Sequence, residues 1–287
     1  MKAFTGRFLP LVVALGMGAA ACGAGGSGGP GAEPEATSTA SVDSPTPPSA
    51  AEPTSQATSP GPAESTGSPR VPSATPRERL VAGSYQPLWP FSGPEEVTAW
   101  QRAYRKDGDR AWHLDPRRTA VAFTRDYLGF GEIDQAVKTV KEGRHARVHV
   151  GYRSEDVGKR LVAAVVHLVR YGSGDDAPWE VVGTDDTDLT LTTPKYGASV
   201  ASPLTVGGRI TGVDESVRIQ VRRPGKQDPV GERCCVSAGG QKSPWSANVS
   251  FSTPPGGTLT VVASTGGHVA AVERFAVTGV TLEGSPP

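Results

Sequence analysis

The stretch His145-Ala146-Arg147-Val148-His149-Val150-Gly151-Tyr152-Arg153 alternates polar and apolar side chains with period two. Successive strand residues point to opposite faces. Ala146, Val148, Val150 and Tyr152 therefore line a buried face, and Arg147, His149 and Arg153 share the other. Downstream, Leu161 to Val169 is apolar on both faces, the pattern of a central strand, and Trp179, Val181 and Gly183 continue the sheet. If the first two of these strands pair as a hairpin with their valines together, His167 falls on the Arg147/His149 face.

Upstream of this stretch the period is helical. Ser92-Gly93-Pro94-Glu95-Glu96 carries Pro in a first turn and acids near a positive helix end, and Val97, Trp100 and Tyr104 follow at helical spacing. Asp115-Pro116 is a second start, an N-cap with Pro at the first helical position. Ala120, Phe123, Tyr127 and Leu128 form its stripe, and Gly129 ends it. Helices followed by an antiparallel sheet predict an α+β domain over residues 78–187. The order, with its late Trp-Glu-Val-Val strand, is similar to the cone-shaped NTF2-like fold.

A second unit, 188–287, has no helix signal. Leu189 and Leu191 alternate with threonines, and short strand-like runs follow: Leu204 to Ile210, Val217 to Val221, Arg233 to Ser237, Trp245 to Phe251, Thr258 to Ala263 and Val272 to Val277. Seven short strands between turn residues predict an all-β sandwich. Thr193-Pro194, Gly197, Val200, Ser202-Pro203-Leu204-Thr205-Val206, Gly208-Arg209 and Gly212 lie in this unit, as do Ser252-Thr253-Pro254 and Gly257-Thr258-Leu259. These residues resemble the immunoglobulin-like domain of bacterial spore-germination and envelope proteins. The whole layout resembles actinobacterial lipoproteins that carry this domain. The resemblance implies a sandwich on a secreted protein and no catalytic residue. Within the unit, Cys234 and Cys235 are neighbours on a strand. Their side chains should diverge and their Cα atoms should sit about 3.8 Å apart, below the usual disulfide range, so no bridge between them is expected. A vicinal disulfide in a distorted turn is the competing reading, permitted in an oxidising compartment.

At the other end, Lys2 and Arg7 precede a short apolar run from Phe8 to Met17, and small residues lead to Cys22. This is the layout of a secretory signal over residues 1–21, too short to span a bilayer. Ala19-Ala20-Ala21-Cys22 resembles a bacterial lipobox, in which the cysteine carries diacylglycerol, although Ala19 stands where Leu, Val or Ile is usual. The alternative is an ordinary signal peptide cleaved near Ala21. Residues 22–77 are mostly Gly, Pro, Ser, Thr, Ala and Glu with almost no large apolar side chain. Such a composition cannot offset chain entropy, so a disordered tether is expected, with a span of roughly 40 Å.

Twenty-nine basic and 29 acidic residues balance, which argues against a nucleic-acid partner. Arg147, His149, Arg153 and His167 make the best candidate binding surface, a partly basic sheet face; the alternative is a solvated face with no ligand. His145 and His149, four apart on a strand, lie roughly 13 Å from each other, too far to share one zinc. Asp185, Asp186 and Asp188 lack the Gly and terminal Glu of a calcium loop. No metal and no cofactor are expected, and no hydrolase, phosphate-loop or zinc-protease motif stands in the folded part. The sequence therefore predicts a membrane-anchored lipoprotein of the cell envelope. It would act as a non-catalytic binding or scaffolding module for a protein or wall polymer. The alternative is a small-ligand carrier or enzyme with a cavity in the α+β domain.

Overall fold

The computed structural model describes residues 80–156 and 158–283, which fall within one compact unit. The expected signal segment, Cys22 and the whole of the expected tether lie outside the described residues. Among the described residues, no helix is long and apolar enough to cross a membrane.

Helix α1 (Pro94–Asp107) starts where Pro94 can forgo a backbone donor. It stops at Gly108, whose left-handed backbone (φ 71°) lets its N–H donate to the Tyr104 carbonyl at 2.8 Å. Helix α2 (Pro116–Ala122) is capped by Asp115, which accepts from the Arg117 N–H at 2.9 Å, and runs on into a wider π-helical turn, Phe123–Tyr127. An antiparallel meander follows: β1 (Gln135–Glu142), β2 (His145–Arg153), β3 (Arg160–Arg170) and β4 (Trp179–Asp185), hydrogen-bonded in that order. A short β5 (Ser199–Val200) opens the second sheet. It continues through β6 (Leu204–Arg222), β7 (Gly231–Val249), β8 (Thr258–Thr265) and β9 (Arg274–Leu282), in spatial order β5-β9-β8-β6-β7.

The helices-then-sheet α+β domain is not what forms. Among the described residues the fold is mostly β, 48% strand against 15% helix, with two short helices and two sheets. Both helix starts were legible, but α1 and α2 run only 14 and 7 residues. They do not make a layer of their own. The inner face of the first sheet (Ala146, Val148, Val150, Val166, Leu168) shares one core with Ala120 and Phe123 and also with Val262, Phe275 and Val277 of the second sheet. The β-rich architecture of the second half is compatible with a β-sandwich.

In that half the expected short strands merge. Leu204 to Ile210 and Val217 to Val221 are two halves of β6, and the Arg233 and Trp245 runs are two halves of β7. Gly212, Gly239 and Gly240 had the composition of turns. Instead they lie where a long hairpin bends, with register breaks at Ile210/Gly212 and Gly212/Glu215. The first half of β6 pairs with β7, and the second half pairs with β7 and β8. Leu204, Val206 and Ile210 thereby share a core with Leu259, Val261 and Val280.

β8 and β9 are therefore buried on both faces. Leu259, Val261, Ala276 and Val280 face the second core, and Val262, Phe275 and Val277 face the first. At Gly279 a Cβ would come within 2.7 Å of Leu88, so the approach of the lead-in segment to β9 requires glycine. Arg222 of β6 reaches the turn after α2: its guanidinium donates to the Tyr127 carbonyl, and locally to that of Gln227, and lies 5.2 Å over the Tyr127 ring.

The expectation for Cys234 and Cys235 is also overturned. They are joined to each other, with Cα atoms 3.0 Å apart across a cis peptide. The expectation assumed an unbroken trans strand. Here two residues of β7, the cysteines, stand opposite the single residue Arg218 of β6, between the pairs Val217↔Val236 and Ile219↔Arg233. That is a β-bulge, and strand alternation does not apply within it.

Candidate functional site

The outer face of the first sheet is built by register. Val148 stands opposite Val166, so His167 stands opposite Arg147 and Val165 opposite His149. On β1, Lys138 and Val140 stand opposite His149 and Arg147. Three of the four expected site residues thus occupy one patch. Arg153 ends the same strand, exposed and opposite Arg160.

The patch is not uniformly basic. The Arg147 Nε donates to Asp185 at 2.6 Å, so the guanidinium is already paired. His149 makes no bond to His167. Its ring is pushed toward lower pKa first by burial and then by the Lys138 charge. His167 is paired instead with His145: Nε2 of one lies 3.0 Å from Nδ1 of the other, and the rings stack at 5.3 Å. Burial, followed by the Arg147 charge, lowers the His167 pKa to about 4. His167 is therefore neutral at pH 7, and in the pair one ring donates while the other accepts.

Sequence reasoning missed the partners of this pair. Tyr85 stands edge-on to both imidazoles, at 5.8 and 5.3 Å, and also meets Tyr196 at 6.4 Å. The Tyr196 hydroxyl accepts from the Gln86 N–H at 2.7 Å, and burial pushes that phenol's pKa upward. Tyr85, His167, Thr184, Asp186, Lys195 and Tyr196 wall a cleft of about 370 Å³ between the two sheets. No periodic signal marks Tyr85 or Tyr196, because each lies in irregular chain. His145 was visible in the quoted stretch, but only as a metal ligand to be rejected.

Chemically the site offers imidazoles, hydroxyls, carboxylates, one paired guanidinium and the amines of Lys138 and Lys195. Among the described residues, no group of three or more His, Cys, Asp or Glu side chains is arranged to hold a metal ion.

A second polar feature lies behind α1. Glu180 is completely buried; its Oε2 accepts from the Phe91 N–H at 3.1 Å, and burial holds its pKa well above the usual carboxylate range. It sits where β4 meets the lead-in segment, at the Leu88 and Trp89 hydrogen bonds to Val181. A neutral carboxylic acid there satisfies one backbone donor without burying a charge.

No protein-family model matches this chain, and no curated protein or solved structure matches it.

Proposed function

We propose that the chain is a lipid-anchored lipoprotein of the bacterial cell envelope whose head is a non-catalytic binding or scaffolding module. On this reading Cys22 carries the lipid, the low-complexity stretch to residue 77 is a spacer, and the last third is an immunoglobulin-like domain.

The observation that carries the binding role is the outer face of β1–β3. Its opposite face is packed, yet this one leaves Val140 and Val162 exposed at 36% and 43% among Lys138, His149 and Arg153. Apolar side chains rimmed by cations suit a partner that carries acidic groups over an apolar surface, an envelope protein or an anionic wall polymer. Arg147 is held by Asp185 and shapes the face, so Lys138 and Arg153, with no ion pair among the described residues, are the cations offered to a partner.

The test is crosslinked capture from envelopes with wild type and with Lys138→Ala/His149→Ala/Arg153→Ala. Capture of the same partner should weaken in the variant and in high salt, because exposed charges are screened over about 8–10 Å. Capture that is equal in both proteins and indifferent to salt refutes this face as the binding surface. Separately, Cys22→Ser should release the protein from the membrane fraction, and equal retention of both proteins refutes the anchor.

A second reading rests on the cleft walled by Tyr85, His167 and Tyr196, whose volume suits a small polar ligand. Tyr85→Ala and Tyr196→Phe should then abolish ligand-induced shifts in His167 resonances while leaving the capture assay intact.

A further inference from the structure

The bridge between Cys234 and Cys235 spans a sequence separation of one. The stabilisation a disulfide gives by restricting the unfolded chain grows with the logarithm of the loop it closes, and this loop is the smallest there is. Stapling the fold is therefore a poor account of the pair. The chain contains three cysteines, and the third, Cys22, lies far away in sequence outside the described residues.

The surroundings of the pair are those of a site open to attack. Both cysteines are exposed. They lie on β7, an edge strand, which among the described residues pairs with β6 alone. The bulge opposite Arg218 lifts them out of regular pairing. Cys235 lines a groove of about 310 Å³ together with Phe130, Arg218, Gln220 and Thr265. Arg218 is exposed, is paired with Glu232, and lines the same groove as Cys235.

We propose that Cys234–Cys235 is a thiol–disulfide exchange site whose co-substrate is an external dithiol seated in this groove. A thiolate of the dithiol attacks the Cys235 Sγ. The S–S bond breaks, and its electron pair leaves on the Cys234 Sγ as a thiolate, with the Arg218 charge nearby to favour it. The second thiolate of the dithiol attacks the mixed disulfide and releases the Cys235 thiolate. The external dithiol leaves as its disulfide, the protein gains two electrons, and the two protons lost by the dithiol balance those taken up by the two cysteines. Run in reverse, the pair oxidises a dithiol.

The test uses the full chain purified from the envelope of an exporting host, with dithiothreitol as the dithiol and iodoacetamide as the trap. Peptide mass mapping should show Cys234 and Cys235 unalkylated before dithiothreitol and both alkylated after it, without denaturant and with the fold's melting transition retained. Alkylation of either cysteine before reductant, or reduction only in denaturing urea, overturns the proposal. Arg218→Gln should slow the native-state reaction about threefold or more, and an unchanged rate overturns the part assigned to Arg218. None of these readouts depends on envelope capture, so this inference and the proposed function fail separately.

Discussion

Truncating Phe275 to alanine removes a ring that belongs to both sheets. Phe275 sits on β9, is 1% exposed, and meets Phe130 at 5.5 Å with the rings inclined by 59°. Its neighbours in the core include Val148 and Val166 from the first sheet and Val262 from the second. Loss of a buried Phe costs about 3–5 kcal/mol, of which the aromatic pair supplies roughly 0.5–1.5. For a head of about 200 residues each kcal/mol moves the melting midpoint by about 2–4 °C, so the expected fall is roughly 6–20 °C. The more telling quantity is the number of transitions. Because β8 and β9 carry a core on each face, the sheets should melt together. Calorimetry should give one transition in wild type and one, lower, in the variant. Leu259→Ala, which empties the second core, should lower that same transition by a comparable amount, since a buried Leu costs about 2–5 kcal/mol. Native-state hydrogen exchange should then show protection falling in β2 and β3 as well as in β8. A first-sheet transition left in place by Leu259→Ala would refute the argument that one body joins the two cores.

Glu180→Gln keeps an acceptor for the Phe91 N–H and removes the ionisable group. A carboxyl whose folded pKa is raised contributes stability that is present below its unfolded value of about 4.5 and lost as pH rises through the folded one. The variant should therefore gain on wild type as pH increases above about 4.5; a melting difference that stays flat from pH 5 to 8 would count against a buried neutral acid. His113 and His167 are both lowered to about 4, chiefly by burial, so the unfolded chain binds their protons first. Stability should fall as pH drops from about 6.5 to about 4, by roughly 1.4 kcal/mol per pH unit for buried His113 and less for half-buried His167. His113→Asn should flatten that slope in urea titrations, and an unchanged slope would rule His113 out as its source. Arg222→Ala should cost several kcal/mol, because it leaves the distant Tyr127 carbonyl and the nearby Gln227 carbonyl without this donor, and chemical denaturation reads it directly; a change under about 0.5 kcal/mol would place that tie outside the stability of the fold.

What could be read from the sequence was local. Period two gave β2 with Val148 inward, and the valine-matched hairpin placed His167 opposite Arg147. Pro94 and Asp115-Pro116 marked both helix starts. What could not be read was set by distant partners. β8 carries Thr260, Ser264 and Thr265, a polar count that suggests one solvated face, yet all three are buried. Thr265 donates to Glu215 of β6, and that partner stands 50 residues away. His167 pairs with His145 and not with His149, and the Tyr85 ring that stands edge-on to both imidazoles is delivered by irregular chain. The cysteine bulge could not be inferred either, because register is a property of two strands and the alternation of Arg233 to Ser237 belongs to one.

Consider how a pull on the chain's N-terminal side would enter the head. The segment before α1 is fastened to both sheets at once. Leu88 and Trp89 exchange backbone hydrogen bonds with Val181 of β4, and Gln86 binds the Tyr196 hydroxyl and accepts from Thr258 of β8. Tension arriving there is shared among these bonds as a shear load and is not applied to one strand end, where it would peel pairs apart singly. The head is thus hitched at the seam where its two sheets meet, and an extending force would draw on the resistance of both before either could open.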